Sequence, residues 1–151
     1  MPDPTPVTVP SPTQLVRFSH SGACGEAFFW AELDSRDLAV TVFVNAQSRS
    51  ADSSTTVSIA IPDPAVAVEI PAGHNLSDNF CTDVPATSSI PVRKEAAAGG
   101  IGEITLGPAL PAAKACGSTN GTLRLKGLVG KDGTTFAPIE FTSSSIACYA
   151  G

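Results

Sequence analysis

The sequence predicts an all-β fold, a two-layer antiparallel β-sandwich of eight or nine strands with Greek-key or jelly-roll-like connections. Three observations predict it. Apolar side chains alternate with polar or small ones in several short runs, turn-forming residues separate the runs, and thirteen prolines and thirteen glycines leave little room for helices. Alternation with a period of two places apolar side chains on one face of a sheet. Two such sheets are expected to bury these faces against each other.

Six alternating runs account for most of the predicted strands. Their apolar residues, in chain order, are Leu38, Val40, Val42 and Val44; Val57, Ile59 and Ile61; Val66, Val68 and Ile70; Ile104 and Leu106; Leu123 and Leu125; and Ile139 and Phe141. The runs are separated by turn signals, namely PDPA at 62–65, AAGG at 97–100 and GKDG at 130–133. Links as short as the first and third favour antiparallel neighbours. The residues expected to be buried are Val40, Val42, Val44, Ile59, Val68, Leu123, Leu125 and Ile139.

An aromatic stretch, GACGEAFFWAEL at 22–33, precedes these runs and predicts the first strand. Alternation puts Phe28 and Trp30 on one face of that strand and Phe29 on the other. An aromatic pair on a strand can stack against a sugar ring. The chain has only nine aromatic residues, however, and its core needs them. We therefore expect the pair to be part of the core.

One domain is expected, preceded by a flexible leader. Residues 1–14, MPDPTPVTVPSPTQ, have the composition of a tether, although a tail without a role is the alternative. Residues 15–151 then form a single β-sandwich domain, which is long enough to bury a full hydrophobic core. No run approaches the roughly 18 apolar residues of a transmembrane segment. The net charge of −5, without a basic block, argues against nucleic acid or anionic lipid as a partner.

Four widely spaced cysteines, Cys24, Cys81, Cys116 and Cys148, predict two disulfides. Buried free thiols are the alternative. Disulfides persist in oxidising compartments, so the chain is expected to be extracytoplasmic, that is, secreted, periplasmic or surface-tethered. Three pairings are possible. Pairing in chain order, Cys24 with Cys81 and Cys116 with Cys148, is favoured slightly because it closes shorter loops.

The stretch GHNLSDNFCTDVP at 73–85 concentrates oxygen-bearing side chains. Asp78, Asn79 and Asp83 could supply several of the six to eight oxygens that calcium requires. The stretch lacks the alternating acidic order of an EF-hand loop, and asparagine and aspartate also close turns through their own backbone. Calcium is thus a candidate ligand, and the sequence indicates no other cofactor.

A secreted hydrolase with a scattered active site is one alternative function. His74 and Asp78 could act as a base and the group that orients it, and Glu26 and Glu32 could be paired carboxylates. No G-x-S-x-G motif is present to mark a nucleophile. We interpret His74 as a surface loop residue and both glutamates as outward-facing residues of an edge strand.

The sequence therefore favours a non-catalytic extracytoplasmic binding module over an enzyme. The Ala- and Gly-rich composition suggests a bacterial cell-envelope or secreted protein whose loops meet a protein or glycan partner. A third possibility is a structural subunit of a surface assembly. In that case PVTV at 6–9 would add as a strand to the sheet edge of a neighbouring copy.

Overall fold

The computed structural model describes residues 15–24, 28–44, 54–81, 90–107 and 119–146. Within these ranges the fold is all-β, with nine strands in two antiparallel sheets. The described residues contain no α-helix, and one short 3-10 helix spans Leu76–Asn79. The all-β class and the number of strands agree with the sequence prediction.

The first sheet has five strands in the order β1-β2-β3-β5-β6, and the second has four in the order β4-β7-β8-β9. The strands of the five-stranded sheet are β1 His20–Cys24, β2 Phe28–Glu32, β3 Ala39–Val44, β5 Val66–His74 and β6 Ile90–Ala96. Those of the four-stranded sheet are β4 Thr55–Ala60, β7 Gly99–Leu106, β8 Thr119–Val129 and β9 Ile139–Ile146. Each adjacent pair is antiparallel. The GKDG turn at 130–133 joins β8 to its antiparallel neighbour β9, as predicted. The PDPA link at 62–65 instead joins β4 to β5, which lie in different sheets, so the prediction that it joins neighbouring strands is wrong.

The predicted first strand at 22–33 is two strands in the structure. β1 and β2 pair antiparallel, with Cys24 opposite Phe28 and His20 opposite Glu32. The polar and small residues at 25–27, between the paired ends, lie outside the described residues. The hairpin gives β2 a strand neighbour on each side, β1 and β3, so β2 is not an edge strand.

Buried residues from both sheets form one hydrophobic cluster. All eight residues expected from the alternating runs are buried: Val40, Val42, Val44, Ile59, Val68, Leu123, Leu125 and Ile139. Phe29 in β2 is fully buried, and its ring meets that of Phe141 in β9 edge-to-face, with 6.1 Å between the centroids. Because this contact joins the two sheets, they share the core.

The outward face of the four-stranded sheet is mostly polar, and its polar residues form rows across the strands. Thr56, Thr105, Thr122 and Thr142 lie opposite one another across all four strands. In the next row Arg124 lies between Glu103 and Glu140, with closest nitrogen–oxygen distances of 3.9 and 3.5 Å. Exposed pairs of this kind contribute little to stability, so the buried face carries most of the stabilisation of this sheet.

Candidate functional site

The outward face of β2 carries the candidate site. Phe29 points into the core, whereas Phe28 and Trp30 lie on the opposite face, half-buried and outside the core cluster. The predicted division of the three rings between two faces is confirmed. The expectation that Phe28 and Trp30 belong to the core is wrong, because Phe29 and the aliphatic residues of both sheets already fill it.

A third ring, Phe80, joins this pair from outside the sheet. Its centroid lies 6.0 Å from that of Phe28 and 5.6 Å from that of Trp30. Phe80 directly follows the 3-10 helix, so the segment 75–81 packs over the outer face of the sheet. We call this segment the cover and the three rings the outer aromatic cluster, a small satellite to the main core.

A disulfide between Cys24 and Cys81 holds the end of the cover to β1, with 6.0 Å between the two Cα atoms. This bond agrees with the predicted pairing in chain order. Cys116 and Cys148 lie outside the described residues, and their pairing stays a prediction. Because Cys81 immediately follows Phe80, the disulfide also fixes the position of Phe80.

Gly22 in β1 makes room for the indole ring of Trp30. These two residues are directly opposite each other in the β1–β2 pairing. A Cβ atom at position 22 would lie only 2.7–2.9 Å from three atoms of the ring. Glycine therefore lets the indole ring lie across β1. Phe80 also contacts this ring.

Glu32 is the buried charged residue of the site, with 2% of its surface exposed. Glu32 lies on the outer face of β2, as expected, but the expectation of an exposed position on an edge strand is wrong, because β2 is an interior strand and the cover lies over that face. Ser77 in the cover donates two hydrogen bonds to the carboxylate, from its hydroxyl at 2.7 Å and from its backbone N–H at 3.2 Å. Arg36 Nε lies 3.4 Å from the same carboxylate. These partners offset the cost of removing the charge from water.

Arg36 links the turn after β2 to the cover. Its backbone is left-handed, with φ of 62°, and its carbonyl accepts a hydrogen bond from Leu76 N–H at 3.2 Å. Its guanidinium donates to Ser77 Oγ at 3.1 Å and to the carboxylate of Asp78. The hydrogen bond to Asp78 raises the pKa of Arg36, and the negative charges of Asp78 and Glu32 add to this increase while burial opposes it. Arg36 therefore stays charged and already has anionic partners.

A shallow cleft of about 530 Å³ opens beside the indole ring. Its lining residues are Ser19, His20, Ser21, Trp30, Glu32 and Arg36. At its rim, His20 Nε2 lies 3.2 Å from Asp34 Oδ1 in an exposed pair. A smaller cavity of about 180 Å³ also has Ser19, His20 and Ser21 in its wall, so His20 borders both spaces. The cleft combines an aromatic surface with hydroxyl, imidazole and charged groups.

Two of the three predicted calcium ligands are described, and Asp83 is not. Asp78 and Asn79 belong to the 3-10 helix of the cover, and the carboxylate of Asp78 contacts the guanidinium of Arg36. Among the described residues, no three His, Cys, Asp or Glu side chains lie together in a way that could hold a metal ion. The calcium loop therefore stays a prediction, and any cation at Asp78 would have to displace Arg36 or share its carboxylate.

Chelation tests the calcium prediction. Because Arg36 already balances the charge of Asp78, we expect EDTA to leave the melting temperature unchanged. Melting curves with EDTA and with added CaCl₂ would measure this. A lower melting temperature in EDTA, abolished by Asp78→Ala, would instead establish a calcium site.

Two residues of the hydrolase hypothesis have other roles in the described structure, because Asp78 contacts Arg36 and Glu32 is buried beneath the cover. His74 ends β5 on the exposed surface, and Glu26 lies outside the described residues. Sequence reasoning missed His20 and Arg36, which line the cleft with Trp30 and Glu32. It also missed Ser77, which bonds to Glu32 from the cover. Only the pairing of β1 with β2 and the placement of the cover bring them together, and neither leaves a motif in the sequence.

The described residues form an all-β fold in which a disulfide-anchored segment covers an aromatic cluster beside an open cleft. Comparison with protein-family models, with curated proteins and with solved structures found no match to this chain. In the described part of the chain, no helix is long and apolar enough to cross a membrane.

Proposed function

We propose that this domain is a non-catalytic extracytoplasmic binding module and that it holds a glycan in the cleft beside Trp30. The cleft is the main support for this proposal, because an indole ring and several hydrogen-bonding groups surround one open space. Sugars present apolar C–H faces, which stack on aromatic rings, and hydroxyls, which bond to polar side chains. The shallow cleft offers both kinds of contact, because one indole ring lies among hydroxyl, imidazole and charged groups.

Several features of the fold support this proposal. The chain leaves the five-stranded sheet after β3, contributes β4 to the other sheet and returns as β5. This crossing, together with the shared core, favours a β-sandwich with Greek-key connections. The Cys24–Cys81 disulfide favours an oxidising compartment, such as the bacterial cell envelope or the medium. Residues 1–14 would then tether the domain.

The secreted hydrolase is less well supported by the same cleft. A catalytic histidine needs a carboxylate to orient it and a nucleophile in reach, in a site that excludes water. His20 has a carboxylate partner in Asp34, but their side chains are 49% and 91% exposed. The pair is therefore better suited to contact a bound ligand than to activate a nucleophile.

One observation favours the structural-subunit alternative. β4 lies at the edge of the four-stranded sheet as described, and its sequence TTVSIA has no charge or proline to block pairing with another strand. Residues 6–9 of a neighbouring copy could add there. This alternative is tested by measuring the solution mass of the full chain and of a chain that lacks residues 1–14. It requires the full chain to form a larger assembly and the truncated chain to be a monomer.

Removing the indole ring tests the proposed function. We expect Trp30→Ala to weaken glycan binding at least about tenfold, as for other aromatic residues at the centre of a binding site. A panel of immobilised glycans first identifies ligands of the wild type, and calorimetry with a soluble oligomer then measures the dissociation constant.

Two further variants complete the test. Trp30→Phe keeps an aromatic surface and should retain part of the affinity. Ile101→Ala removes an apolar side chain that is 61% exposed on β7 of the other sheet and should bind like the wild type. Circular dichroism checks that each variant is folded. Failure of the wild type to bind any glycan, or full binding by folded Trp30→Ala, would contradict the proposal.

A further inference from the structure

Acidic groups outnumber basic ones around the cleft. Glu32 is in its wall, Asp34 contacts His20 of the same wall, and Asp78 lies in the cover beside Arg36. Arg36 is the cation of the cleft wall, and its guanidinium already meets both Glu32 and Asp78. At pH 7, with histidines counted as neutral, Glu32, Asp34, Asp78 and Arg36 sum to −2, and the whole chain carries −5. The local charge and the overall charge thus have the same sign.

On this basis we propose that the cleft selects glycans that carry protonated amines, such as oligomers of glucosamine. This inference rests on the proposed function. The side chain of Asp34 is 91% exposed, so an ammonium group of the ligand can reach its carboxylate from solvent. The face of an indole ring also attracts a cation. Trp30 can therefore contact both the apolar C–H face and the ammonium group of an amino sugar.

The same arrangement disfavours glycans that carry carboxylate or sulfate groups. An anionic sugar would require a free cation in the cleft wall, but Arg36 is already paired with two carboxylates. Glu32 and Asp34 would also repel such a ligand. A neutral glycan would meet neither this repulsion nor the added attraction. The expected order of affinity is therefore amine-bearing, then neutral, then acidic glycans.

Three soluble hexamers measure this order: β-1,4-linked glucosamine, its fully N-acetylated form and galacturonate. Calorimetric titrations are run at about pH 7, the pH at which the net charge is counted with neutral histidines and still below the roughly 7.7–8.0 that is usual for the pKa of an α-amino group. We expect the glucosamine hexamer to bind most tightly and to lose affinity when salt screens the charges. Asp34→Asn should weaken its binding about two- to fivefold, the range for one exposed charge pair. Binding of the N-acetylated hexamer should not change in this variant.

Asp132→Asn is the matched control, because it removes one acidic charge from an exposed turn that does not line the cleft. Equal weakening by both Asp→Asn variants would show attraction to the net charge and overturn the inference, as would undiminished affinity of folded Trp30→Ala for the glucosamine hexamer. Equal affinity for all three hexamers would overturn the amine preference while leaving glycan binding intact. Binding of no hexamer, with no other glycan bound on the panel, would overturn the proposed function as well.

Discussion

Phe29→Ala should lower the free energy of unfolding by about 3–5 kcal/mol, the usual cost of removing a buried aromatic ring. Phe29 has no exposed surface, and its ring packs on that of Phe141 in the other sheet. Removal of the ring leaves a cavity in the core that both sheets share. Urea denaturation followed by circular dichroism would measure the loss.

Phe43→Ala is the matched control for this variant. Phe43 lies on the neighbouring strand β3 with 54% of its surface exposed, and it is opposite Phe28 on the outer face. The same chemical change at this position should cost much less. If the two variants lost equal stability, the assignment of the core and outer faces of β2 and β3 would be wrong.

Removing the Cys24–Cys81 disulfide is expected to be the second large perturbation. The cysteines are 57 residues apart, and a bridge across a loop of that length contributes about 4 kcal/mol on the chain-entropy model. The double variant Cys24→Ser with Cys81→Ser removes this bridge alone and leaves no unpaired thiol at either site. Urea denaturation under non-reducing conditions would measure the loss.

The same double variant should also weaken glycan binding. Without the bridge, the cover loses the covalent link that places Phe80 against Trp30. Non-reducing peptide mapping of the wild type provides the control, because it should recover Cys24 linked to Cys81. A double variant with wild-type stability, or a map that links Cys24 to another cysteine, would contradict this part of the account.

Much of the core could be predicted from the sequence because it depends on local alternation. Val40, Val42 and Val44 follow a period of two, which places them on one face of β3. Their burial can be predicted from this pattern without knowing which strands are neighbours. The pairing of Cys24 with Cys81 was also predictable, but only as the shortest way to close the loops. Both the buried face of a strand and the favoured cysteine pairing follow from the spacing of residues along the chain.

The candidate site could not be predicted in the same way, because it depends on contacts between distant segments. Glu32 is buried by Ser77, 45 residues later in the chain. Alternation correctly placed Glu32 on the face away from the core, but it could not reveal that the cover lies over that face. Nor does the sequence show that Arg36 adopts a left-handed backbone and bonds to Asp78.

Mapping the ligand on the protein tests the central claim most directly. The chain has one tryptophan, so the indole N–H region of a ¹H–¹⁵N spectrum reports on Trp30 alone. Titration with the tightest-binding glycan should shift this resonance together with the backbone amides of residues 19–22 and 32–36. An unshifted indole resonance, with the changes confined to the face that carries Ile101 and Arg124, would contradict the assignment of the cleft as the binding site.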